Sequence, residues 1–98
     1  KLGISPDRAG RSRDRVSYSL DWYEAAVNSA ATYIADDPDG LDEMFDALGL
    51  LTDEPRPRRS KALKTSNLRR LKVGRYRALY EIVDPVGSII VIHLGRVG

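Results

Sequence analysis

Residues 68–94 read LRRLKVGRYRALYEIVDPVGSIIVIHL, and this stretch decides the fold because it holds three strand-like runs. The runs, rich in β-branched and aromatic residues, cover residues 68–73, 76–83 and 88–94. Gly74 and the turn-forming sequence at 84–87 separate them, so the three strands are predicted to form an antiparallel meander. Because residues 89–92 are apolar on both sides, we expect the last strand to be central and covered on both faces along most of its length.

Upstream of the meander, the hydrophobic pattern predicts a strand followed by a helix. Residues 16–20 alternate apolar and polar side chains, which is typical of a half-buried strand. Asp21 and Glu24 have the spacing of a capping box, and the helix behind them should end near Ala35, before Asp37-Pro38. The residues expected to face the core at helical spacing are Tyr23, Val27, Ala30 and Ile34.

A second helix is predicted directly after Pro38. Asp39 is in position to cap it, and Gly49 is in position to end it in a left-handed conformation. Its expected core residues are Leu41, Met44, Phe45 and Leu48. We also expect Trp22, Tyr33 and Phe45 to pack in the core, because aromatic side chains at helical spacing beside a sheet usually do.

The order of these elements predicts an α+β fold, β-α-α-β-β-β, with the strand and an antiparallel two-helix hairpin packed on one face of an antiparallel sheet. A chain of 98 residues fits one domain, which we expect to cover residues 16–98. Residues 1–15 contain little apolar periodicity and predict a flexible basic arm. Residues 52–60, TDEPRPRRS, predict an irregular linker because of their two prolines.

The composition excludes several kinds of site. There is no cysteine and only one histidine, which excludes disulfides and argues against a metal centre, so we expect no cofactor and no metal. No apolar stretch is long enough to cross a bilayer, and no signal segment opens the chain. These features predict a soluble cytoplasmic protein without a membrane partner.

Charge is segregated along the chain. Residues 1–15 carry five basic and two acidic side chains. Residues 16–54 carry no basic and ten acidic side chains, and residues 55–98 carry eleven basic and two acidic side chains. The segment charges of +3, −10 and +9 give the total of +2. Such a distribution predicts one surface that attracts anions, unless the acidic and basic segments simply neutralise each other in the fold.

Strand alternation indicates where the basic residues lie. In 68–73 it places Arg70 and Lys72 opposite Leu71, and in 76–83 it places Arg77 opposite Tyr76 and Tyr80, which we expect in the core. Arg70, Lys72 and Arg77 should therefore form a cationic cluster on the open face of the sheet. Lys61 and Lys64 approach this cluster from the preceding loop, and Arg75 from the turn. Such a cluster suits the phosphodiesters of a polyanion, with RNA as the expected ligand.

The segment 71–77, LKVGRYR, leading into Tyr80, resembles the RelE/ParE superfamily of toxins from bacterial toxin–antitoxin pairs. The resemblance covers roughly residues 16–96 and includes the order of strands and helices. RelE-like members cut messenger RNA in the ribosomal A site, whereas ParE-like members poison DNA gyrase. Both kinds of toxin are neutralised by a partner antitoxin. The toxin reaches operator DNA only indirectly, through that antitoxin.

If the RelE activity carries over, the resemblance implies cleavage without metal, by attack of the RNA 2′-hydroxyl on the adjacent phosphate. Arg77 matches the arginine of the family's Tyr-Arg pair and would neutralise the transition state. Arg70 and Lys72 match basic positions of the preceding strand and would hold the phosphate or, for Lys72, accept a proton. Arg96 falls beside the family's basic C-terminal motif and would add a phosphate contact.

The sequence departs from this pattern after Arg96. RelE-like nucleases often carry a second arginine or histidine there and then a tyrosine, whereas here Val97 and Gly98 follow. Three interpretations stay open: a trimmed C-terminus, weak cleavage by arginine and lysine alone, or a protein that is not a nuclease. The last covers a ParE-like gyrase inhibitor and an inactive module that binds antitoxin or RNA. His93 is the only imidazole and could act as a general acid or base, but its place inside the central strand favours a packed, hydrogen-bonded residue.

Overall fold

The computed structural model describes residues 17–97. The predicted arm, residues 1–15, and Val16 of the predicted first strand lie outside the described residues. The elements, in chain order, are β1 (Ser19–Trp22), α1 (Glu24–Asp36), α2 (Pro38–Leu50), β2 (Ser60–Ala62), β3 (Leu68–Val73), β4 (Tyr76–Val83), a 3₁₀ turn (Asp84–Val86) and β5 (Ser88–Arg96).

The strands form one five-stranded sheet in the order β1-β5-β4-β3-β2. The predicted α+β fold and the meander β3-β4-β5 are confirmed, with antiparallel pairing throughout the meander. The sheet is mixed, however, because β1 pairs with β5 in parallel. A helical connection between strands permits this parallel arrangement, which a tight hairpin does not.

The bounds of β3 and β4 agree with the prediction, and β5 continues to Arg96. The short edge strand β2 was not predicted. Its residues pair antiparallel with β3, so that Lys61 lies opposite Arg70. A run of three residues is too short for its alternation to be recognised in a sequence.

Both helices lie on one face of the sheet, and the core fills the space between. Tyr76 and Tyr80 are 2% and 0% exposed, which confirms their assignment to the core. Trp22 packs edge-on against Phe45 with ring centroids 6.0 Å apart, and the ring of Tyr33 lies 5.6 Å from that of Tyr76. The fully buried aliphatic side chains include Leu41, Met44, Leu48, Leu51, Leu71, Ile82, Ile89, Val91 and Leu94.

The predicted buried face of α1 is confirmed for Ala30 and wrong for the three larger residues. Tyr23, Val27 and Ile34 are 51%, 48% and 41% exposed, while Ala26 and Ala30 are buried against the sheet. Small side chains allow a helix to approach a sheet closely, so the alanines rather than the larger residues face β5. No helix among residues 17–97 is both long and apolar enough to span a membrane.

The helix caps also differ from the prediction. Asp21 belongs to β1 and accepts a hydrogen bond from Ser88 at 2.7 Å, and α1 begins at Glu24 without a side-chain cap. Asp37, not Asp39, caps α2, where its Oδ1 accepts from the Gly40 N–H at 3.2 Å. Gly49 lies inside α2, which ends in right-handed helical conformation at Leu51.

Candidate functional site

The cationic cluster lies on the face of the sheet opposite the helices. Arg70 and Lys72 of β3 are exposed, and Arg77 of β4 is half-buried. Lys72 pairs across the ladder with Arg77, and Lys61 of β2 pairs with Arg70. Directly opposite residues of an antiparallel pair lie about 5 Å apart, so four cations share a small area of this open face.

None of these four cations forms an ion pair within residues 17–97. The ion pairs in that part of the chain join Arg56 to Asp84 and Arg96 to Asp36. Adjacent cations without a carboxylate repel one another, and an anion bound among them would relieve that repulsion. The charge of the open face therefore suits a ligand with several negative charges.

Arg77 is held in place by the turn between β3 and β4. Its Nη1 donates to the carbonyl of Gly74 at 2.9 Å and to the carbonyl of Tyr76 at 3.0 Å. Gly74 has a φ of 58°, a left-handed conformation that glycine adopts without strain. Because both bonds use Nη1, the Nη2 and Nε groups stay available for a phosphate, and the guanidinium is fixed before the ligand arrives.

A groove of about 390 Å³ runs along this face beside Arg77. Leu79 and Leu63 give it an apolar part, and Arg70 and Arg77 give it a charged part. Apolar surface next to guanidinium groups suits a nucleotide, whose base is flat and whose phosphate is charged. The lining residues are Leu63, Arg70, Arg77, Leu79, His93, Gly95, Arg96 and Val97.

His93 lies in this groove, which corrects the prediction of a packed histidine. The ladder between β4 and β5 shifts register, so that Leu79 pairs with His93 while Tyr80 pairs with Val91. The extra residue, Ile92, forms a β-bulge that reverses the alternation of β5. As a result Leu94 is buried and His93 is exposed on the open face. The prediction that β5 is covered on both faces is correspondingly wrong at this end.

A second groove, of about 520 Å³, adjoins the first and shares Arg70 with it. It contains Arg58 and Arg59, which the sequence pattern assigns only to the irregular linker. Their adjacency was the available signal, but a proline-rich segment has no periodicity that assigns side chains to a face. The lining residues are Arg58, Arg59, Ser60, Lys61, Arg70 and Lys72.

Three further candidates lie apart from the cluster. Lys64 and Arg75 are exposed in loops, and neither lines the two grooves. Arg96 borders the first groove, but its guanidinium donates to Asp36 at 2.7 Å and lies 4.7 Å from the ring centroid of Tyr33. This bond to Asp36 raises the pKa of Arg96. The head group of Arg96 is thus engaged on the helical side and not with Arg70 and Arg77.

A hydrogen-bonded network supports the strand ends from the helical side. The Tyr76 hydroxyl donates to Asp37 Oδ2 at 2.8 Å, and Asp37 also caps α2. The hydroxyl of Tyr76, followed by the Gly40 N–H, lowers the pKa of Asp37. The α1–α2 turn is in this way tied to the start of β4, one residue before Arg77.

The side chains of the site are basic and apolar. Within residues 17–97 there is no group of three histidine, cysteine, aspartate or glutamate residues arranged to hold a metal ion. The chemistry that these residues offer is the binding of phosphates by guanidinium and ammonium groups, together with proton transfer by an imidazole or an ammonium group.

Solved structures with a similar fold come from several toxin–antitoxin systems. The toxin–antitoxin complex RelBE2 of Mycobacterium tuberculosis matches with 24% identity and a TM-score of 0.68, over 83% of this chain and 92% of that chain. The isolated E. coli RelE toxin matches with 20% identity and a TM-score of 0.71, over 84% and 86%. The chromosomal ParDE system of P. aeruginosa matches with 13% identity and a TM-score of 0.66, over 84% and 98%. No curated protein sequence matches the chain.

A family model assigns the chain directly. The model described as ParE toxin of type II toxin-antitoxin system, parDE, matches residues 20–97, which include both helices and all of the sheet except Ser19 of β1. The strand order, the helical hairpin and this match agree with one another. The chain therefore belongs to the RelE/ParE superfamily of type II toxin–antitoxin toxins.

Proposed function

We propose that this toxin is a ribosome-dependent endoribonuclease that cuts messenger RNA in the A site. The observation that carries the proposal is a set of four cations on one open sheet face, without ion-pair partners among residues 17–97 and beside a nucleotide-sized groove: Lys61, Arg70, Lys72 and Arg77. A face of this kind suits the backbone of single-stranded RNA, because arginine forms paired hydrogen bonds with phosphate oxygens.

In the proposed reaction the RNA supplies its own nucleophile. The 2′-oxygen attacks the adjacent phosphorus, the bond to the 5′-oxygen breaks, and a cyclic phosphate end is left. Arg77 neutralises the charge that builds up on the non-bridging oxygens, and its hydrogen bonds to Gly74 and Tyr76 fix it for that purpose. Arg70 and Lys72 hold the phosphate from the neighbouring strand.

We further propose that a cognate antitoxin inhibits the toxin by covering this face in the cytoplasm. Structures of related systems are described as toxin–antitoxin complexes, among them the intact E. coli RelBE complex. An antitoxin segment rich in acidic residues would pair with Arg70, Lys72 and Arg77 and exclude RNA. The complex should then weaken as salt is added, because the attraction between partly exposed charges is screened.

A second candidate function is inhibition of DNA gyrase. The observation that favours it is the family model, which is described as ParE toxin. A gyrase inhibitor needs a binding surface but no catalytic residues, and the same basic face would then contact another partner. The two functions predict different products, namely cut messages in one case and broken DNA in the other.

The test is induced expression of the chain in a bacterial host, with growth followed and RNA 5′ ends mapped across translated messages. We expect growth arrest and cuts within codons, and we expect Arg77→Ala to lose both. Arg56→Gln is the matched control, since it also removes one positive charge. Arg56 lies outside the open face and pairs with Asp84. Arrest with intact RNA and broken DNA would replace the nuclease by the gyrase inhibitor, and normal growth would indicate an inactive binding module.

A further inference from the structure

The β-bulge in β5 places His93 in the groove that Arg77 also lines. Gly95, two residues further along β5, is the ladder partner of Arg77. A side chain on Gly95 would place its first carbon 3.4 Å from His93 Cε1 and 4.0 Å from Nδ1, so the histidine ring leans over the backbone of Gly95. The ring therefore lies beside the position of β5 that pairs with Arg77.

The ring of His93 has no structural partner within residues 17–97. It is exposed and forms neither a hydrogen bond nor an ion pair with that part of the chain. A bulge that turns a histidine out of the core and leaves it without a partner contributes nothing to packing at that position. Bulges often occur next to active sites, where they direct a side chain towards a ligand.

The charged groups around His93 come from two neighbouring strands. Arg70 of β3 and Arg77 of β4 line the same groove, whereas the guanidinium of Arg96 is bound to Asp36, and no carboxylate of residues 17–97 lines the groove. Glu81 lies further along the open face of β4, and Asp21 of the neighbouring β1 is bonded to Ser88. A phosphate held by the arginines would therefore meet an imidazole as the nearest group suited to proton transfer.

We propose that His93 accepts the proton of the attacking 2′-hydroxyl, a role that rests on the nuclease activity proposed above. As the 2′-oxygen forms its bond to phosphorus, its proton passes to the neutral imidazole. The bond from phosphorus to the 5′-oxygen breaks, and the ammonium group of Lys72 gives that oxygen a proton. Exchange with water afterwards returns one proton to Lys72 and removes one from His93.

The arrangement across the sheet fits an in-line displacement. Lys72 on β3 pairs with Arg77 on β4, and His93 on β5 pairs with Leu79, two residues from Arg77 along the open face of β4. Two strand spacings across the sheet and two residues along it put the backbones of Lys72 and His93 about 12 Å apart, which leaves space for a phosphodiester between the two side chains. The attacking and leaving oxygens of an in-line reaction lie on opposite sides of phosphorus, so a phosphate held by Arg77 can present one oxygen towards β5 and the other towards β3.

The experiment measures cleavage of a short messenger RNA on purified ribosomes with an empty A site. The unaltered chain is compared with His93→Ala and His93→Gln, and with Asn28→Ala, an exposed change on α1. We expect both His93 variants to cleave about 100-fold more slowly or worse, as removal of a general base does. Their thermal unfolding should match that of Asn28→Ala, because His93 is exposed.

Chemical rescue separates catalysis from structure. Imidazole added to the solution should restore part of the cleavage by His93→Ala, in the space that the missing ring leaves, and should not affect Arg77→Ala. Cleavage at the unaltered rate by both His93 variants would overturn the inference, and so would a loss that imidazole does not rescue. If the unaltered toxin cuts no RNA, the proposed function fails, and the inference fails with it.

Discussion

The salt dependence of RNA binding tests directly whether the cations of the open face contact phosphates. We consider a double variant, Arg70→Gln with Lys72→Gln, which removes two of the four cations of the open-face cluster, the others being Lys61 and Arg77. Each phosphate contact to single-stranded RNA contributes about −0.7 to the slope of log affinity against log salt concentration. Four contacts therefore predict a slope of about −2.8, and two contacts predict about −1.4.

These slopes correspond to effects that are easy to measure. Between about 50 and 200 mM salt, the unaltered protein should lose about 50-fold in affinity and the double variant about 7-fold. The assay is a fluorescence titration of a short single-stranded RNA at several salt concentrations. Thermal unfolding of each variant should be measured in parallel, although both side chains are exposed.

The control double variant is Arg56→Gln with Arg69→Gln, which removes the same charge from outside the open face. Arg56 pairs with Asp84, and Arg69 donates to Ser60 and to the carbonyl of Ser66. We expect its slope to stay near that of the unaltered protein. Equal slopes for the two double variants would refute the reasoning, because net charge alone, and not the arrangement on the open face, would then govern binding.

Two further predictions concern stability. Gly40→Ala should lower the free energy of unfolding by about 1–3 kcal/mol in urea titrations, because the new carbon would clash with Asp37 and lie 2.9 Å from Tyr76 Cε2. Gly49→Ala is the control and should be neutral or stabilising, because its new carbon has nothing within 4 Å. An equal loss of stability in both variants would contradict this explanation. The Tyr18 hydroxyl and, after it, Arg56 lower the pKa of Asp84. The ionised Asp84 carboxylate therefore stabilises the fold fully above the ordinary aspartate pKa, and this stabilisation is lost as the pH falls through the lowered pKa of Asp84. Tyr18→Phe should therefore lower the melting temperature at neutral pH, with the difference shrinking in acid, and a difference independent of pH would refute this.

The part of the site on β3 and β4 could be predicted because both strands alternate regularly. Arg70, Lys72 and Arg77 face away from Leu71 and Tyr76, as the period of two requires. His93 could not be placed in this way, since a single bulge residue reverses the alternation and has no recognisable sequence pattern.

Contacts that are distant in the sequence explain the other differences. The guanidinium of Arg96 is directed by Asp36, 60 residues earlier in the chain, and no local pattern indicates that pair. In α1 the larger apolar residues were expected to face the core, but close packing on β5 selected Ala26 and Ala30. The general fold was predictable from local patterns, whereas these side-chain directions depend on tertiary packing.

The parallel pairing of β1 with β5 has a consequence for how the toxin folds during its synthesis. Ser19 pairs with Ser88, so the strand made early must wait until the ribosome has released β5, which follows many residues later. Closure of such a long loop is slow compared with the formation of the α1–α2 hairpin. The groove likewise needs β5, which carries His93. Under the proposed nuclease function, a nascent chain should therefore gain its cleavage site only after β5 has left the ribosome.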